Sequence, residues 1–190
     1  MPSAIALQKQ YYPDQRLFVA DARDLAERHG ATMLRDWFGE VDTSNVNEGY
    51  SISGLGKLDL IFDKGTADAL FLYQQPEIAI SAYLRQVSML LRPKDVSSGE
   101  IEMKHRGIFL VVSCARVDGI LNGHGKPLLL KHIEETQKQK QRRLDHQGEE
   151  VFEETPIESP GTWEILFHRE LLSDVGAGDR TYDLIALSLL

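Results

Sequence analysis

Apolar positions in this chain fall into short runs parted by polar stretches, and their spacing changes from run to run. Leu17-Phe18-Val19-Ala20 is a compact apolar run and predicts a strand at 17–20. Residues 24–38 place Leu25, Met33, Leu34, Trp37 and Phe38 at near-helical spacing, which predicts a helix broken near Gly30. Leu60-Ile61-Phe62 has no alternation and predicts a strand buried on both faces, ending at Asp63. Lys64-Gly65-Thr66 reads as a turn, with a helix from Ala67. Pro76 suits the first residue of a further helix. Ile80, Leu84, Val87 and Leu91 continue that helix at helical spacing, and Pro93 stops it. The run from Ile108 to Cys114 reads as a central, two-sided strand opened by Gly107. Trp163, Ile165 and Phe167 alternate as in a strand, and residues 182–190 form a last one. Asp174-Val175-Gly176-Ala177-Gly178-Asp179 joins the two as a hairpin turn. A short helix at 3–12 can be capped by Ser3.

Strands alternating with helices, then two adjacent strands, predict an α/β fold. In such a sheet ligands bind at the carboxyl ends of parallel strands, where Asp63 falls. The polar stretches add less. Residues 39–57 read as a long loop closed by Gly54-Leu55-Gly56. Residues 94–106 are a charged insertion. Residues 118–160 read as a polar insertion in which Leu128 to Leu130 can begin a helix.

Composition narrows the function classes. The 190 residues fit one domain with a real core, and 42% are hydrophobic. Net charge is -8, so neither nucleic acid nor an anionic membrane is an expected partner. No run approaches the ~20 apolar residues of a membrane span. The single cysteine, Cys114, forbids an internal disulfide and suits a reducing compartment, cytoplasmic or mitochondrial.

Three segments carry a resemblance. Asp63-Lys64-Gly65-Thr66, with Asp68-Ala69 after it, follows an apolar strand. Upstream stands Asp21-Ala22-Arg23-Asp24-Leu25. Downstream, residues 83–93 end in Leu90-Leu91-Arg92-Pro93. In this order they resemble segments of class I, seven-strand S-adenosylmethionine-dependent methyltransferases. The branch they resemble methylates lysines of translation elongation factor and citrate synthase. The resemblance implies a Rossmann-like sheet, mostly parallel, with a C-terminal antiparallel hairpin. It implies S-adenosylmethionine as donor and a protein lysine as acceptor. It puts Asp21 on the adenine amino group and the Ala22 amide against the ring. It puts Asp63, Lys64 and Gly65 beside the donor, with Asp63 the catalytic group that orients the amine and helps deprotonate it.

Each of these residues also has a plain structural reading. Asp21 can cap a helix, and Asp63 can cap a loop. Lys64 and Thr66 can serve only to fix the turn, and Asp68 reads as a solvated or capping acid. Gly123-His124-Gly125-Lys126-Pro127 lacks the spacing of a phosphate loop. Asp174-Val175-Gly176-Ala177-Gly178 looks like a donor-binding loop, but no helix and second strand follow it. His132 and Glu135 have no third partner at metal-ligand spacing and read as a surface pair, so no metal is expected. Cys114 reads as a small core residue and His168 as half-exposed.

The sequence departs from the family at its start. No counterpart of the first two strands, of the GxGxG loop or of the ribose-binding acid precedes residue 17. Two or three polar contacts to the donor, each worth ~1–3 kcal/mol, are then missing. The expectation is a single, incomplete methyltransferase domain over residues 1–190, a truncated form that binds donor weakly and is not competent alone. The alternatives are a non-catalytic methyltransferase-like interaction module and a spermidine-synthase-like aminopropyl transferase.

Overall fold

The structure is a computed structural model that describes residues 4–11, 13–14, 20–38, 58–92, 106–120, 124–145, 162–173 and 180–190. Its helices are α1 (Ala4–Tyr11), α2 (Leu25–Phe38), α3 (Thr66–Leu70), α4 (Pro76–Leu90) and α5 (Leu128–Asp145). Its strands are β1 (Leu60–Lys64), β2 (Ile108–Ser113), β3 (Ala115–Arg116), β4 (Gly119–Ile120), β5 (Trp163–Ser173) and β6 (Arg180–Leu189). The α/β class holds. The main sheet runs in the order β1-β2-β6-β5, and β3 and β4 form a small hairpin. β1 and β2 are parallel, while β2–β6 and β6–β5 are antiparallel. The described sheet is therefore mostly antiparallel, where a mostly parallel one was expected. The reason is connectivity: the C-terminal hairpin supplies two of the three ladders. The strand expected at 17–20 lies outside the described residues but for Ala20, which is not in a strand. The loop at 39–57, most of the insertion at 94–106 and the turn at 174–179 also lie outside them.

The core forms where one face of the sheet meets α3, α4 and α5. Phe109 is fully buried between Tyr83 and Trp163, with ring centroids at 5.9 and 6.0 Å. Val111, Ile185 and Leu187 extend this layer toward Ile80, Leu84, Leu129 and Ile133. The helix predicted from Leu128 thus contributes its first two turns to the core. Farther along, Gln137 Nε2 donates to the Trp163 carbonyl at 2.5 Å and ties α5 to β5. The apolar signal lies in residues 128–133 alone, and the charged remainder of α5 hides it.

The opposite face corrects an expectation. Leu60 and Phe62 are each 57% exposed, so β1 is not buried on both faces. β2 is central: Phe109, Val111 and Ser113 are buried on one face, while on the other Leu110 and Val112 are half-buried and Ile108 is exposed. An unbroken apolar run fits a strand covered on both sides, but it carries no information on whether the second layer is present. α2 corrects another. It is unbroken at Gly30, whose cost in a helix of ~0.5–1 kcal/mol is small beside packing. Its amino end is capped from outside: Ala26 N and Glu27 N both donate to Gln86 Oε1 of α4, at 2.8 and 3.0 Å.

The end of α4 threads between the starts of β1 and β2. Leu58 N donates to Leu90 O, Arg92 N to Leu58 O, and Gly107 N to Arg92 O. A Cβ on Gly107 would lie 2.8 Å from both Arg92 N and Leu58 O. Gly107→Ala is expected to cost ~1–3 kcal/mol, read as a lower urea midpoint, because backbone must move to admit it. A second expectation concerns acid. His132 Nε2 lies 3.2 Å from Ser81 Oγ, between α5 and α4. Burial lowers the His132 pKa below 6.5, partly offset by Glu77 and Glu135. The unfolded chain then takes up the proton more readily, so stability present above pH 6.5 is lost as pH falls below it. His132→Gln is expected to flatten this loss in melting temperature between pH 7.5 and 5.5; an unchanged slope would exclude His132 as its source.

Candidate functional site

The carboxyl edge of the β1–β2 pair collects the polar groups of the core. β1 runs one residue past Asp63, and the chain turns at Gly65 with φ +86°, a left-handed value that favours glycine. α3 then starts at Thr66, one residue earlier than predicted. The Asp63 carboxylate is buried and spans this turn. Its Oδ1 accepts from Thr66 N at 2.8 Å and its Oδ2 from Ala67 N at 2.9 Å. Burial, then the Asp63 charge and a hydrogen bond with that carboxylate, push the Tyr83 phenol far above its usual range. Asp63 therefore holds the turn together. Lys64 is exposed beside it, and a Cβ at Gly65 would meet nothing within 4 Å, so backbone there is open to approach.

Asp68 stands in the first turn of α3. It was expected to be a solvated or capping acid, yet it is buried. It accepts from the Ser113 hydroxyl, from Cys114 N at 2.8 Å and from the Cys114 thiol at 3.1 Å. The first turn of α3 faces the end of β2, and burial there requires a paired carboxylate. Cys114 lies just beyond β2 and is half-buried; it is not a core residue within the strand.

A third carboxylate, Asp183, escaped the sequence reading. It is fully buried and sits opposite Ser113 in the β2–β6 ladder. Arg116 grips it with two bonds of 3.0 Å, Nε to Oδ2 and Nη2 to Oδ1. His168 Nε2 lies 2.7 Å from Oδ1, and Glu170 takes the far side of the Arg116 guanidinium at 3.1 Å. Burial pulls the Arg116 pKa down, but Asp183 and Glu170 outweigh it and raise it. The signal was present in phase: Asp183 alternates with Ile185, Leu187 and Leu189, all buried, so it needed an internal cation.

Asp21 occupies a separate turn, ahead of α2. It does not cap that helix: the Asp24 carbonyl accepts the first helical bond, from Arg28 N. Its carboxylate accepts instead from Arg23 N at 2.9 Å and from Arg23 Nε and Nη2 at 3.0 and 2.6 Å. Arg23 side-chain and backbone bonds, in that order, hold the Asp21 pKa down to about 2. The same guanidinium lies 4.8 Å over the Tyr73 ring, just beyond α3. Ala22, with Phe71 and Ile61, packs on the edge of the core. The structure thus joins Asp63, Lys64 and Gly65 in one turn and Asp21 and Ala22 in another. Ala22 and Arg23 tie the second turn to residues flanking the first.

No group of three or more His, Cys, Asp or Glu suited to a metal ion occurs among the described residues. No helix among them is long and apolar enough to cross a membrane. No protein-family model and no curated protein matches the sequence.

Removing one partner of a buried ion pair strands the other. Asp183→Leu is expected to cost ~3–5 kcal/mol in chemical denaturation, while Asp183→Leu/Arg116→Met costs less than the single change. Equal losses for the two variants would show that Arg116 is not held chiefly by Asp183.

Proposed function

We propose that this chain is a class I methyltransferase-type domain that takes S-adenosylmethionine at the carboxyl edge of β1 and β2 and serves methylation of a protein lysine. The observation that carries the reading is the β1–turn–α3 unit. An Asp-Lys-Gly-Thr turn closes a parallel strand pair, at the edge where open α/β sheets bind ligands. The strand order adds support. β6 enters antiparallel between β2 and β5, as the closing hairpin of the resembled fold does.

When bound, S-adenosylmethionine supplies an electrophilic methyl group that a neutral lysine amine can attack. The roles of the chain's own residues follow from their geometry. Asp21 offers a carboxylate acceptor, and Ala22 its backbone, for the adenine side. Asp63 accepts one amide on each oxygen and a bond from the Tyr83 phenol, so it fixes the turn and holds a negative charge in place beside the incoming amine. Gly65 presents open backbone from that turn, and Lys64 an exposed side chain beside it. The net charge of -8 supports approach of a lysine-bearing, cationic surface.

The donor fit is one-sided, because the residues that would hold ribose and methionine have no counterpart in the sequence. Calorimetric titration with S-adenosylhomocysteine is expected to give saturable but weak binding, with Kd weaker than roughly 100 μM. Asp21→Ala should weaken it further. Absence of saturable binding at ten-millimolar ligand would overturn the reading. So would micromolar binding that survives Asp21→Ala and is lost on Gly176→Val, since the glycine string at 176–178 would then be the donor loop.

A further inference from the structure

Asp21 and Tyr73 together form a recognition pair that the chain already occupies. A carboxylate faces N–H donors held in one plane, and an aromatic face covers that plane. The present occupant is the Arg23 guanidinium, which is flat and carries N–H groups along its edge. A 6-aminopurine has the same two attributes, a flat π-face and an amino group that donates to a carboxylate. Tyr73 is 48% exposed and the Asp21 side chain 42%, so a ring of that size can approach both groups from solvent.

We propose that Arg23 is a plug on the adenine side of the site: it holds the Asp21 carboxylate and the face of Tyr73, and it swings out when an aminopurine takes its place. The proposal rests on the donor-binding reading above, and it adds Tyr73 as the stacking platform and Arg23 as the competitor. Both contacts of the plug are at the surface. An exposed ion pair and an exposed cation–π contact are each weak, and water can take over the guanidinium once it is released. The Arg23 side chain rotates without disturbing the turn, because the backbone bond from Arg23 N to Asp21 Oδ1 and the packing of Ala22 remain.

Salt gives a readout that a merely structural arginine would not move. Screening weakens the Arg23–Asp21 attraction, while adenosine is uncharged. Adenosine affinity of the unaltered chain is therefore expected to rise with salt, and that of Arg23→Ala to stay flat.

The test is titration of the full chain with adenosine. Arg23→Ala is expected to bind roughly five- to tenfold tighter than the unaltered chain, which is the release of two weak surface contacts. Arg23→Lys, which cannot form the planar fork, should fall between them. Adding Tyr73→Ala to Arg23→Ala should abolish the gain. Equal or weaker binding by both Arg23 variants, in a chain that does bind adenosine, overturns the plug and leaves the donor reading standing. Failure of both the unaltered chain and Arg23→Ala to bind millimolar adenosine overturns the plug and the adenine role of Asp21 together.

Discussion

A buried carboxylate that must be satisfied sets the geometry of this sheet edge. Asp63 sits on the covered face of β1, where an unpaired charge would be costly. The chain meets that demand locally, by turning at once so that the amides of Thr66 and Ala67 point back at the carboxylate. Bonds to a charged acceptor contribute ~1.5–3 kcal/mol each, enough to hold so short a helix as α3 in place. The direction of α3 follows from this turn. It carries Asp68 to the end of β2 and Leu70 into the core. Tyr83 then ties α4 to the same carboxylate.

The far side of the edge obeys the same rule by different means. Asp183 takes a guanidinium, from the residue three past the end of β2. β2 thus stands between two satisfied carboxylates, Asp68 on α3 and Asp183 on β6. Ser113, its last residue, donates to the first and faces the second across the ladder. A polar network of this kind fixes register, because a one-residue slip of β6 would carry Asp183 to the other face and separate it from Arg116. The apolar residues alone specify this less well: Ile185, Leu187 and Leu189 define a face without marking one position on it.

Most strands and helices were legible in the sequence because their periodicity is strong. α4 shows it in Ile80, Leu84 and Val87, and the hairpin in Trp163 and Ile185. Two kinds of feature were not legible. The apolar run of β1 concealed that its second face is open, since Leu60 and Phe62 are suited to either environment. Long-range polar pairs were hidden by distance along the chain: Arg116 and Asp183 stand 67 residues apart, and Asp68 and Ser113 stand 45 apart. Asp63 lies at the edge, and its plain reading as a cap describes its contacts. A carboxylate after a strand looks the same in sequence whether amides or a ligand engage it.

The two halves of the candidate site therefore differ in stiffness. Asp63 is buried, bonded by two amides and shielded from salt, so it keeps one position in the folded chain. Asp21 is exposed, and a side chain of its own turn engages it; exposed pairs of this kind are weak. A ligand entering this edge can displace Arg23 at little cost, but it cannot draw Asp63 away from α3 without uncapping the helix. On the proposed reading, adjustment to a ligand belongs to the Asp21–Arg23–Tyr73 side, and the Asp63 turn is the fixed wall against which it happens. On the same reading, a lysine amine arriving at that wall would meet a charge held in one place, so its orientation would come from the shape and fixed charge of the edge.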